Sequence, residues 1–156
     1  MVISVEAKAD EPFSDLIGEY YDQRAAPSPD GQPSRSKVPA RIRQLSLALF
    51  GRQPDEVIRK LRYQLLHAAA ATLIEAKENG AEVGLFLIHE FHSASLNRDK
   101  LNQNATDWKN FVRAFPELAS ARIEENQILG PVSIPGGGRV PPSAPLYLGK
   151  LVTKLK

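Results

Sequence analysis

Two side chains of opposite charge stand two residues apart near the start of the chain, in Val5-Glu6-Ala7-Lys8. In an extended segment, alternation puts Glu6 and Lys8 on one face, about 7 Å apart at the backbone. A carboxylate can hold a hard divalent cation, and an ammonium beside it can orient a water or help deprotonate it. That chemistry suits hydrolysis of a phosphodiester, where charge develops on phosphoryl oxygens. The same two residues also make an ordinary ion pair on an exposed strand face. The tripeptide alone does not separate the two readings.

Other polar groups are weaker candidates. His89-Glu90-Phe91-His92 lacks the spacing of a helical zinc motif, and zinc would need one or two more ligands. Its histidines are expected to be structural or solvent-facing. His67 follows Gln64 by one helical turn and either faces a site or packs beside the sheet. Arg62 and Tyr63 could clamp a nucleic acid or simply sit on a helix surface. Lys150, Lys154 and Lys156, with Arg139, could touch phosphates or blunt a sheet edge. Gly136-Gly137-Gly138 lacks the spacing of a phosphate loop and reads as a flexible turn. Trp108, at helical spacing with Leu101 and Phe111, reads as core.

The elements that would position these groups follow from periodicity. Residues 2–8 alternate as a strand, with Ile3, Val5 and Ala7 on one face and Ser4, Glu6 and Lys8 on the other. Pro12 opens a helix over about 12–23, and residues 25–37, rich in Pro and Ser, form a loop. A second helix spans 38–50 and stops at Gly51. Pro54 and Asp55 open a long helix to Glu78, with an apolar stripe through Ile58, Leu61, Leu65, Ala69, Leu73 and Ala76, widened by Val57. Residues 82–88 are a nearly continuous apolar run, the pattern of a buried central strand. A polar turn, a helix over 98–115, a loop over 135–143 and a last strand over 145–155 complete the chain. A long helix leading straight into a buried strand predicts an α/β fold: a small mixed β-sheet flanked by helices, in a single domain over 1–156.

Composition narrows the function. The 156 residues suit one core, and 24% charged residues mark a globular chain. Lys and Arg number 20 against 18 Asp and Glu, a net charge of +2, which excludes polybasic coating of nucleic acid. There is no cysteine, hence no thiolate metal site and no cysteine nucleophile. No apolar run reaches the roughly 18 residues of a membrane span. Acids within the first eleven residues argue against a signal peptide, so the default compartment is the cytoplasm, with no membrane partner.

The order of a strand carrying Glu-x-Lys, a helix carrying a polar Gln64, then an apolar strand resembles the core of the PD-(D/E)xK restriction-endonuclease-like superfamily. The stretches VEAKADEPF, LRYQLLHAAAATLIEA and VGLFLIHEF look more closely like one uncharacterised bacterial branch of it. The resemblance covers about 2–115, and more faintly LYLG at 146–149. It implies a metal-dependent nuclease. Glu6 would be an acidic metal ligand, the Ala7 backbone carbonyl would join it, and Lys8 would position the attacking water. Gln64 would face the site, and Glu11 would be an auxiliary carboxylate just after the strand. Arg62 and His67 would touch the nucleic acid. The cofactor would be Mg²⁺ or Mn²⁺ and the substrate a nucleic acid, DNA ahead of RNA.

The superfamily's first acid, an aspartate on a preceding strand, has no counterpart here. Three explanations stand. Upstream strands are missing from this chain, Asp10 or Glu11 substitutes, or catalysis is lost. The first is preferred, because it also explains an initial strand with nothing before it to pair with. It further implies a homodimer or a partner chain completing the sheet. A catalytically degenerate member of the same fold, binding nucleic acid or protein, is the alternative.

Overall fold

The structure, a computed structural model, describes residues 1–9, 11–93, 97–142 and 144–155. Asp10 and Lys156, named above, Ser143 at the end of the loop expected over 135–143, and part of the turn before residue 98 lie outside the described residues.

Strands β1 (Val2–Lys8), β2 (Gly84–His92), β3 (Gln127–Ser133) and β4 (Pro145–Lys154) form one sheet in the order β1-β2-β4-β3. β1, β2 and β4 run parallel, and β3 runs antiparallel to β4. The small mixed sheet flanked by helices is thus as expected. Among the described residues β1 has one neighbour in the sheet, β2. β2 is longer than its apolar run. The ladder continues past Ile88 because β1 and β4 still flank it there, pairing Lys8 with Glu90 and His92 with Lys154. The His89–His92 stretch, expected in a turn, is therefore strand.

The two faces of the sheet differ. On one, Phe86, Ile88, Leu146 and Leu148 are buried under the helices. On the other, Val5, Leu87, Gly149 and Ile128 make a single row across all four strands, and Val5 and Ile128 are more than half exposed. The expectation of a central strand buried on both faces holds in part: on the outer face Leu85 is buried, but Leu87 is only half-buried. β1 consequently turns its polar side, Glu6 and Lys8, toward the helices and leaves Ile3 and Val5 outside.

The helices are α1 (Ile17–Ala25), α2 (Val38–Phe50), α3 (Glu56–Arg59), α4 (Tyr63–Glu78) and α5 (Arg98–Arg113), with a 3-10 turn at Pro116–Leu118. α2 ends as expected at Gly51, whose N–H donates to the Leu47 carbonyl. The loop before it is exposed throughout 25–37.

The long helix predicted from Asp55 is two helices. Asp55 caps α3 by accepting from the N–H groups of Val57 and Ile58, but the chain turns extended at Arg62 (ψ 132°). There it pairs with the segment before α1: Ile17 N–H donates to the Leu61 carbonyl at 2.8 Å and Tyr63 N–H to the Asp15 carbonyl at 3.0 Å. These bonds replace the helical ones that Leu61 and Tyr63 would have made. They also explain why α1 begins at Ile17 rather than near Pro12. The apolar stripe survives the break, with all six of its residues buried, whereas Val57 is exposed.

α4 lies across β1 and β2, and Trp108 and Phe111 of α5 meet Phe86 edge-on. The glycine turn is not loose. Gly136 N–H donates to the Ala48 carbonyl at 2.9 Å, and Gly137 and Val140 exchange hydrogen bonds of 3.0 and 3.1 Å. Among the described residues no helix is long and apolar enough to cross a membrane.

Candidate functional site

The break between α3 and α4 decides where Gln64 goes. It starts α4 at Tyr63, so Gln64 sits in the first turn, above the C-terminal end of β1. Its amide nitrogen donates to Glu6 Oε1 at 2.7 Å, and its amide oxygen accepts from Lys8 Nζ at 3.1 Å. Lys8 Nζ is 3.3 Å from Glu6 Oε1. The three side chains expected to act together thus form one closed triangle. Ser14 N–H, from the loop after β1, is a further donor to the Gln64 oxygen.

Burial makes this group unlike an ordinary surface pair. Lys8 is 5% exposed and Glu6 27%. Phe13, fully buried, lies beneath Lys8 with its ring centroid 5.3 Å from Nζ, a cation–π contact in a low-dielectric place. An ammonium held there depends on its carboxylate, its amide and the ring to offset lost hydration.

The loop after β1 is tied down from α5. Asn104, fully buried, donates to the Glu11 carbonyl at 3.0 Å. Glu11 Oε2 accepts from Ala9 N–H, so this carboxylate folds back on the end of β1. Arg62, expected to meet nucleic acid, donates to buried Asp107 at 2.7 Å and to the Ser14 carbonyl at 3.1 Å. Its guanidinium holds the loop to α5. His67 is exposed one turn along α4, its ring 5.9 Å from that of Tyr63.

A second charged pair stands beside the first. Glu90 is opposite Lys8 in the sheet register, and Glu6, Ile88 and Lys150 form the adjacent row. Lys150 Nζ is 2.9 Å from Glu90 Oε1, and His92 Nε2 is 3.0 Å from Glu90 Oε2. Glu90 is 1% exposed and Lys150 6%. Lys150 approaches off hydrogen-bonding geometry, so Oε1 has an ion-pair partner but no hydrogen bond among the described residues. Lys150 does not blunt an edge, because β4 lies inside the sheet between β2 and β3. Sequence reasoning missed this pair. The available signal was alternation: Glu90 falls two residues beyond Ile88, on the face that Phe86 and Ile88 put in the core.

Two carboxylates and two ammoniums therefore sit at the C-terminal ends of three parallel strands, the end at which open α/β sheets bind ligands. For a divalent cation, Glu6 is the partly exposed carboxylate, while Glu90 is committed to Lys150 and His92. No group of three His, Cys, Asp or Glu residues among the described ones is arranged to hold a metal ion. One partly exposed carboxylate is not a cage; a hard cation here would have to take most of its ligands from substrate oxygens and water.

None of the curated proteins and none of the solved structures matches this chain. A family model described as "Domain of unknown function (DUF6946)" matches residues 1–155, and the chain belongs to that family.

Proposed function

We propose that this protein is a metal-dependent nuclease-like domain of the PD-(D/E)xK kind, hydrolysing phosphodiester bonds of nucleic acid, DNA in preference to RNA, in the cytoplasm. The observation that carries the reading is the triangle of Glu6, Lys8 and Gln64 at the C-terminal end of β1. Glu6, with the Ala7 carbonyl and Glu11 near the same strand end, would hold Mg²⁺ or Mn²⁺. The cation would supply charge stabilisation at the phosphoryl oxygens. Lys8 orients the attacking water, and its burial keeps the ammonium in one place. Gln64 fixes both side chains by offering a donor to one and an acceptor to the other.

The test is a calorimetric titration with Mg²⁺ and Mn²⁺, with Glu6→Ala as control, alongside cleavage of a labelled duplex. Metal binding that disappears in Glu6→Ala, together with metal-dependent cleavage, supports the reading. No metal binding, or binding indifferent to the substitution, removes it.

A second reading has its own support. Glu6 Oε1 is already engaged by Gln64 and Lys8. A degenerate member of the fold that binds nucleic acid or protein without cutting would keep this closed arrangement. It predicts nucleic-acid binding undiminished by Glu6→Ala and no cleavage with either metal.

A further inference from the structure

α4 presents a different surface to α2. A cavity of about 260 Å³ lies between the two helices, and the glycine turn forms its third wall. Its rim carries Arg41 and Gln44 from α2, His67 from α4 and Arg139 from the turn. Its floor is Leu45, Ile74 and Val140, the first two half-buried and the last 3% exposed. None of these residues belongs to the Glu6–Lys8–Gln64 triangle or to the Glu90–Lys150 pair.

The wall is built rather than draped. Gly136 is bonded to the end of α2 and Gly137 to Val140, as described above. Gly138 has a φ of +59°, and a Cβ there would run into the Gln44 amide. The Gln44 side chain thus rests against Gly138, whose left-handed backbone favours glycine. Arg139 is held at the rim by an ion pair with Glu78 at the end of α4, and its planar fork keeps further donors. The side chains of Arg41 and Gln44 make no hydrogen bond or ion pair among the described residues. The unengaged Arg41 and Gln44 side chains and the partly engaged Arg139 therefore surround an apolar floor.

We propose that this cavity binds a nucleotide monophosphate group, its phosphate on Arg41, His67 and Arg139 and its base on the Leu45–Ile74–Val140 floor. Guanidinium groups match phosphate oxygens in pairs, and an apolar floor suits a base that has left water. The ligand is either a free nucleotide or the phosphorylated end of a nucleic-acid chain.

Adenosine 5′-monophosphate, adenosine and inorganic phosphate are titrated calorimetrically against the full chain, without added metal. The monophosphate should bind at least about tenfold more tightly than either fragment, and Arg41→Ala should weaken it by about tenfold or more. Arg139→Ala, in the exposed turn, is the second variant and should weaken it in the same direction. A 5′-phosphorylated oligonucleotide that outbinds the mononucleotide, and loses this on dephosphorylation, assigns the cavity to chain ends. The reverse order assigns it to free nucleotides. Equal binding of adenosine and its monophosphate, equal binding of phosphate alone, or indifference to both arginine variants overturns the proposal. So does the absence of binding by any of the probes.

Discussion

Gln64 meets Lys8 with its acceptor end, at 3.1 Å, while its donor end is turned to Glu6. A primary amide offers a strong donor and a strong acceptor two bonds apart while carrying no charge. It therefore bridges a carboxylate and an ammonium without adding charge to a buried place.

Replacing it should expose that dependence. Gln64→Leu keeps the bulk but strands the Lys8 ammonium and Ser14 N–H without their acceptor. A loss of about 1–3 kcal/mol in urea unfolding is expected. Gln64→Glu keeps the acceptor and sets a second carboxylate against Glu6. It should be destabilising at neutral pH and less so once the carboxylates are protonated, which unfolding at two pH values checks.

Lys8→Met tests the proposed role of Lys8 apart from folding. Methionine fills the same channel over Phe13 and leaves the partly exposed Glu6 carboxylate to water and Gln64. If Lys8 orients the attacking water, cleavage of a labelled duplex should fall by about 10²-fold or more with far-UV circular dichroism unchanged. Cleavage that persists would remove Lys8 from the reaction.

The Glu90–Lys150 pair makes an energetic prediction of its own. Glu90→Ala leaves an ammonium buried without its counter-charge and should cost about 3–5 kcal/mol. The double substitution Glu90→Leu, Lys150→Met removes both charges and should recover most of that loss. Denaturant midpoints of wild type, the single and the double variant test this. A double variant as unstable as the single one would show that the pair is not what the core depends on.

The bare face of the sheet predicts tolerance where apolar residues usually forbid it. Ile3 and Val5 are 50% and 55% exposed. Ile3→Thr with Val5→Thr keeps β-branched side chains suited to a strand and should shift stability by no more than about 1 kcal/mol. Light scattering should show the double variant to self-associate less, since an exposed apolar sheet surface is a sticky one. A large fall in melting temperature would mean that this face is packed.

Periodicity, local in character, was legible in the chain itself. The stripe from Ile58 to Ala76, the apolar run at the start of β2, the α2 stop at Gly51 and the core place of Trp108 all follow from spacing and capping. So does the shared face of Glu6 and Lys8, because strand alternation needs no partner to be read. Tertiary structure decided the rest. Backbone bonds from the segment before α1 cut the long helix at Arg62, a competition between distant donors and acceptors that no local window contains. Strand neighbours on both sides kept Glu90 and His92 in the sheet and buried Lys150 against them. The covering helices chose the polar face of β1 as the inner one. Alternation shows that a strand has two faces. Only packing determines which of them leaves water, because burial depends on what arrives from elsewhere in the chain.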